Sequence, residues 1–165
     1  MVDAGETPSA TPTPTSTNSA NTRPPLSGAA RGSLQQGVAA AQQGQLDAAR
    51  AAFESALASD PRAYQAAYNA GVIAERQGQD SAADSYYQRS LSIQPDYELA
   101  LIARARLLIR QRRLNDAVLM AGGIARSYPN NSTVRAEYAR LLVLNNRPND
   151  AIEEARQVLR QDERN

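Results

Sequence analysis

The stretch QQGQLDAARAAFESALASDP, residues 42–61, returns 34 residues later as RQGQDSAADSYYQRSLSIQP, residues 76–95. Gly44 falls on Gly78, Ala49 on Ala83, Phe53 on Tyr87, Leu57 on Leu91 and Pro61 on Pro95. The interval extends further. Pro129 stands 34 residues beyond Pro95, and Ala49, Ala83, Ala117 and Ala151 form a column without a miss. A second column, Gly37, Gly71, Ala105 and Ala139, is small every time. A third, Phe53, Tyr87, Ala121 and Ala155, is aromatic twice and then shrinks. Self-similarity at a fixed period of this size marks an array of repeated supersecondary units.

Within one copy the spacing predicts two helices. AYQAAYNAGVIAERQG, residues 63–78, carries apolar side chains at helical intervals and stops at Gly78, a natural helix end. DSAADSYYQRSLSIQ, residues 80–94, opens on Asp80 and Ser81, either of which can accept the free N–H groups of a first turn. It closes before Pro95, whose ring a helix interior does not tolerate. Gly or Ala in the small column lets two backbones approach, and the aromatic column fills the space beside them. One hairpin cannot bury its apolar face alone, whereas four in a row share a continuous core. In the third copy Gly122 and Gly123 fall inside a helix, at about 1 kcal/mol each relative to Ala. Close packing against a neighbour, with Tyr138 filling the space, accounts for them; the alternative is a weak point that bends for a partner. NNST, residues 130–133, reads as a helix cap between hairpins, or as a glycosylation acceptor.

Residues 1–32 read as a disordered linker. Ser, Thr and Pro dominate, and Val2 and Leu26 are the large aliphatics after Met1, too few to offset the entropy of ordering. TPTPT and RPP stiffen it. The repeats are expected over residues 33–63, 64–97, 98–131 and 132–165.

Composition excludes several classes. The chain has no Cys, hence no disulfide framework or thiolate site, and no His, the commonest general base and metal ligand. It also lacks a glycine-rich phosphate loop and an HExxH motif, so no catalytic residue, metal or cofactor is expected. No run approaches the roughly 20 apolar residues of a membrane span. The first ten residues lack the basic and apolar regions of a signal peptide.

These columns resemble the tetratricopeptide repeat family. The first copy carries Gly37, Ala40, Ala49, Phe53, Ala56 and Pro61, and the second Gly71, Ala74, Ala83, Tyr87, Ser90 and Pro95. The third carries Ala105, Leu108, Ala117, Ala121, Ile124 and Pro129, and the fourth Ala139, Leu142, Ala151, Ala155 and Val158. The family's early Trp is absent from all four, and Glu163 stands where the last Pro would be. The resemblance implies an all-α fold, a right-handed superhelical solenoid of four hairpins and about eight helices. The first helix of each hairpin would line a concave groove, and the second would lie on the convex side.

By the same resemblance the chain is not an enzyme, and the groove holds a peptide or helix of a partner protein. The residues implied are Leu34, Val38, Gln65, Tyr68, Asn69, Val72, Arg76, Ile102, Arg106, Arg110 and Arg140. Leu34, Val38, Tyr68, Val72, Ile102 and Ile109 would form an apolar floor. Arg76, Arg106, Arg110, Arg113 and Arg140 would form a basic wall, with Arg106, Arg110 and Arg113 sharing one helix face. The net charge of +1 hides a polarised molecule, because residues 97–147 hold nine Arg against Glu98, Asp116 and Glu137. Such runs are often only solvated faces; the alternative is an acidic ligand. The family's carboxylate clamp for chaperone tails would fall on Leu34, Val38, Asn69, Leu99 and Ala103, of which only Asn69 has a fitting type. A nucleic-acid partner is not expected, since a strong binder makes roughly 6–10 phosphate contacts.

A Ser/Thr/Pro tail ahead of such repeats resembles bacterial envelope lipoproteins that help build secretion, pilus or motility machines. That points to the periplasm, with membrane contact only through a lipid anchor outside this chain and with a monomeric or weakly self-associating protein. The alternatives are a cytoplasmic adaptor and a self-assembling scaffold, with a binder of an anionic polymer behind them.

Overall fold

The computed structural model describes residues 24–162, with side chains through residue 160. Its helices are α1 (Gly28–Gln42), α2 (Leu46–Ser59), α3 (Tyr64–Arg76), α4 (Asp80–Ile93), α5 (Glu98–Arg110), α6 (Leu114–Ser127), α7 (Ser132–Leu144) and α8 (Pro148–Asp162). No strand occurs among the described residues. Each helix packs on the next along the chain, giving four stacked hairpins. Hairpins two to four start at Tyr64, Glu98 and Ser132, which keeps the 34-residue interval.

All four hairpins turn in the same way. The N–H groups of Gln45, Gln79, Arg113 and Arg147 reach back to the carbonyls of Ala40, Ala74, Leu108 and Leu142 at 2.9, 2.9, 2.8 and 2.9 Å. The residue before each of these, Gly44, Gly78, Arg112 and Asn146, has φ of 74, 71, 59 and 55°. This is the left-handed helix end in which a backbone bond satisfies an orphan carbonyl. Gly accepts it freely and Asn tolerates it, whereas Arg112 carries a steric cost of about 1–2 kcal/mol.

The same turn corrects an expectation. Neither Asp80 nor Ser81 caps α4: its N-cap is Gln79, which makes no side-chain cap bond. Gln79 is already fixed by the backbone bond that closes α3, so α4 starts one residue earlier than the side chains imply. Between hairpins a side chain does cap, for Asn131 Oδ1 accepts the N–H of Val134 at 3.0 Å.

The core follows the sequence columns. Ala49, Ala83 and Ala117 are fully buried and Ala151 nearly so. Phe53 lies across Gly37 and Tyr87 across Gly71 so closely that a Cβ on either glycine would sit 2.5 or 2.6 Å from a ring carbon. Gly122 meets Tyr138 in the same manner at 2.9 Å, which is the close packing expected, whereas a Cβ on Gly123, of which the same was expected, would meet nothing within 4 Å.

The linker expected through residue 32 ends earlier. Residues 1–23 lie outside the described residues, but α1 begins at Gly28 with Ser27 as its N-cap, accepting from the N–H of Ala30 at 3.1 Å. Leu26, the aliphatic assigned to the linker, packs against the first core cluster. Asp60 anchors the entry: its Oδ2 accepts the N–H of Ser27 at 3.1 Å, and Arg62 donates to Asp60 at 2.8 Å and to the carbonyl of Pro24 at 3.4 Å. The hydrogen bonds from Arg62 hold the Asp60 carboxyl down at about 2, so it is charged at ordinary pH.

Candidate functional site

The first helices of hairpins one to three, α1, α3 and α5, stand side by side over a trough with two cavities. One, of about 220 Å³, lies between α1 and α3, bounded by Val38, Ala41 and Gln42 on one side and by Asn69, Val72 and Arg76 on the other. The second, of about 440 Å³, lies between α3 and α5, bounded by Tyr68, Val72 and Arg76 on one side and by Ala103, Arg106 and Arg110 on the other. Helix α3 is the ridge between them, and Val72 and Arg76 serve both. The floors are aromatic, Phe53 under the first cavity and Tyr87 under the second. The residues that let the hairpins close therefore also pave the trough.

Tyr68 is held in a ring cluster. Its centroid is 5.6 Å from that of Tyr97 at 89° and 6.0 Å from that of Tyr87 at 36°, while Tyr64 meets Tyr97 at 4.8 Å. Edge-to-face pairs of this kind contribute about 0.5–1.5 kcal/mol each beyond their buried area. Burial within the cluster pushes the Tyr97 hydroxyl up to about 12.

The charges of the trough are arranged less simply than a basic wall. Tyr87 donates its hydroxyl to Glu75 at 2.7 Å, and Arg110 donates to the other oxygen of the same carboxylate. Arg110 also reaches Asp80 at 3.3 Å. Burial works against the charge on Glu75, but the hydrogen bonds from Arg110 and Tyr87 outweigh it and hold the carboxyl below its ordinary value. Burial and then the bond to Glu75 push the Tyr87 hydroxyl well above its ordinary value.

The implied site residues thus divide. Val38, Tyr68, Asn69, Val72, Arg76, Arg106 and Arg110 line the cavities. Leu34 is half-buried against the first core cluster, and Gln65 and Ile102 are half-buried without lining either cavity. Arg140 grips the nearly buried carboxylate of Glu137 through two bonds, 2.8 and 2.6 Å. Arg113 lies beyond the end of α5, in the turn, and pairs with Asp116 at 2.7 Å, so it does not share a helix face with Arg106. Of the five expected wall residues, only Arg76 and Arg106 make no ion pair or side-chain hydrogen bond among the described residues. Glu75 and the two aromatic floors were not expected at the site, and Ala103 was placed there only as a position of the chaperone-tail clamp. The period did mark Phe53 and Tyr87, but as core.

The tetratricopeptide repeat profile matches residues 34–98 and 102–165. The chain belongs to the tetratricopeptide repeat family. Solved structures agree with this fold. MamA superposes with a TM-score of 0.62 at 14% identity, covering 82% of this chain and 79% of that one. PilF of Pseudomonas aeruginosa gives 0.60 at 22% identity, covering 82% and 62%. The first repeat domain of Spaghetti (RPAP3), solved with the HSP90 peptide SRMEEVD bound, gives 0.56 at 18% identity, covering 68% and 92%. At these identities the likeness is one of fold. No curated protein is significantly similar in sequence. Among the described residues no helix is long and apolar enough to cross a membrane, and no cluster of acidic residues could hold a metal ion.

Proposed function

We propose that this chain is a non-enzymatic adaptor that holds a segment of a partner protein in the trough of α1, α3 and α5. The observation that carries this reading is the pair of adjoining cavities, with apolar walls at Val38, Tyr68 and Val72 over aromatic floors. A segment presenting apolar side chains at regular intervals matches such a surface. The peptide seated on the Spaghetti domain supports it, as a precedent on the same fold. The Ser/Thr/Pro-rich residues ahead of the repeats favour a tether, and with it a place in building an envelope machine for secretion, a pilus or motility. The compartment in that reading is the periplasm, with the cytoplasm as the alternative.

The test starts from partners captured from native lysate and identified by mass spectrometry. The purified partner is then titrated against the parent chain and against Val38→Glu with Val72→Glu. A loss of at least tenfold, about 1.4 kcal/mol, with an unchanged thermal melt is expected. Equal affinity in the folded variant would overturn the trough as the binding surface.

One observation favours a second reading, self-assembly. Leu57, Leu91 and Ala125 are buried under the hairpin that follows each of them. Their counterpart in the last copy, Leu159, is 63% exposed, and Ile152, about two turns before it, is 48% exposed. The outer face of α8 thus carries apolar side chains with no further hairpin over them among the described residues. If copies meet there, the mass measured by sedimentation rises with concentration, and Ile152→Lys with Leu159→Lys returns it to that of a monomer. A constant mass for the parent chain would refute self-assembly.

A further inference from the structure

We infer that the α3–α5 cavity reads acidity: it selects a protein segment that carries a carboxylate beside an apolar side chain. This rests on the trough being the binding surface and specifies what it prefers. Four charged residues line the cavity, Glu75, Arg76, Arg106 and Arg110. Glu75 is spoken for by Arg110 and Tyr87, and Arg110 in turn by Glu75 and Asp80. That leaves Arg76 and Arg106, both exposed, one on each wall, with no ion pair or side-chain hydrogen bond among the described residues. Elsewhere along α5 and α7 the arginines are matched, Arg104 by Asp84 at 2.7 Å, Arg135 by Glu154 at 2.6 Å and Arg140 by Glu137 at 2.6 Å. Arg106 adds to the positive field that keeps Glu75 charged, but it and Arg76 flank a single cavity with guanidinium groups that no side chain grips.

Arginine in such a place favours a planar carboxylate, which it can grip through two parallel N–H bonds, and it repels a basic segment. The same cavity presents Tyr68, Val72 and Ala103 between the two cations. Tyr68 is already fixed against Tyr87 and Tyr97, so an apolar side chain docking on it orders little that was free. A small inorganic anion would use the arginines and leave this apolar surface in water. A nucleic acid would find two free cations, against the roughly 6–10 phosphate contacts of a strong binder. A carboxylate and an apolar group on one protein segment use both features. Arg76 and Arg106 are not among the positions of the chaperone-tail clamp, which here hold Leu34, Val38, Asn69, Leu99 and Ala103.

The experiment is selection of a displayed random-peptide library on the full chain. Peptides with Asp or Glu next to an aliphatic or aromatic residue are expected to enrich. A synthetic copy of an enriched peptide should bind about tenfold more tightly than its twin with Gln for the acid. That difference should vanish on Arg76→Gln with Arg106→Gln, and the salt dependence of affinity should become shallower. Arg89→Gln with Arg126→Gln, which removes the same charge from the second helices, should keep the full difference, and thermal melts of both variants should match the parent. Peptides that need Val38 and Val72 but bind as well with Gln would overturn the acid preference and leave the trough standing. A library that yields no peptide dependent on Val38 and Val72 would overturn both.

Discussion

Phe53→Ala is expected to lower the free energy of unfolding by about 3–5 kcal/mol, the range for removing a large buried ring. The ring is 1% exposed and wedged against Gly37, where a Cβ would stand 2.5 Å from its Cε1. The three atoms nearest to that Cβ position all belong to the ring, so its removal leaves a void along the backbone of α1. Gly37→Ala alone is also expected to destabilise, because the added methyl meets the ring edge and the neighbour must shift. The two changes together should cost less than the sum of their separate costs, since the methyl enters space that the ring has vacated. The chain already contains this pairing, for the corresponding positions of the third and fourth hairpins are Ala105 with Ala121 and Ala139 with Ala155. Urea unfolding of the four proteins at constant slope measures the cycle. Strict additivity would mean that the glycine is small for some reason other than the ring.

That pairing also shows why the fold was so legible. A 34-residue column of small residues, set against a column of aromatics at the same period, describes a helix crossing without reference to anything outside one hairpin. The hairpin turns were half legible: Gly44 and Gly78 announce a left-handed helix end, but Arg112 and Asn146 hold the same conformation under residue types that do not advertise it. The caps expected at Asp80 and Ser81 failed because a backbone bond from Gln79 to Ala74 already sets the start of α4. The start of the domain was misplaced because Ser27 and Leu26 are held by Asp60 and by the first core cluster, partners far along the chain. Charge was the least legible property. Composition counts arginines, and spacing finds pairs within one helix, such as Arg140 with Glu137. Arg110 with Glu75 and Arg104 with Asp84 join residues 35 and 20 apart on different helices, and only the stacking of hairpins brings them together. The basic wall shrinks to Arg76 and Arg106 because stacking commits Arg110 to Glu75, while Arg113 and Arg140 turn to carboxylates three residues away.

Arg135→Ala is expected to cost about 3 kcal/mol, the lower end of the range for removing one partner of a buried ion pair. The side chain of Arg135 is 9% exposed and is used in three directions: it donates to the carbonyl of Pro129, to Glu154 and to Gln157, each at 2.6 Å. Glu154 keeps 20% of its side-chain surface, so water softens the loss of its partner. The period makes a sharper test available. One repeat earlier, Leu101 stands in the place of Arg135 and Met120 in the place of Glu154, and both belong to the apolar cluster of the third hairpin. The last described hairpin thus carries an ion pair where the one before it carries a leucine and a methionine of an apolar cluster. Taking two charges out of water is costly, and a well-packed apolar pair avoids that cost. Arg135→Leu with Glu154→Met should therefore be neutral or stabilising, by up to a few kcal/mol, although Arg135→Ala is harmful. Thermal and urea unfolding of the three proteins decide the matter. If the double variant is as unstable as Arg135→Ala, the bond to Gln157, which ties α7 to α8, and the bond to Pro129, which ties α7 to the loop before it, do what hydrocarbon cannot replace. If it gains stability, the ion pair between α7 and α8 is kept for solubility or partner choice rather than for folding.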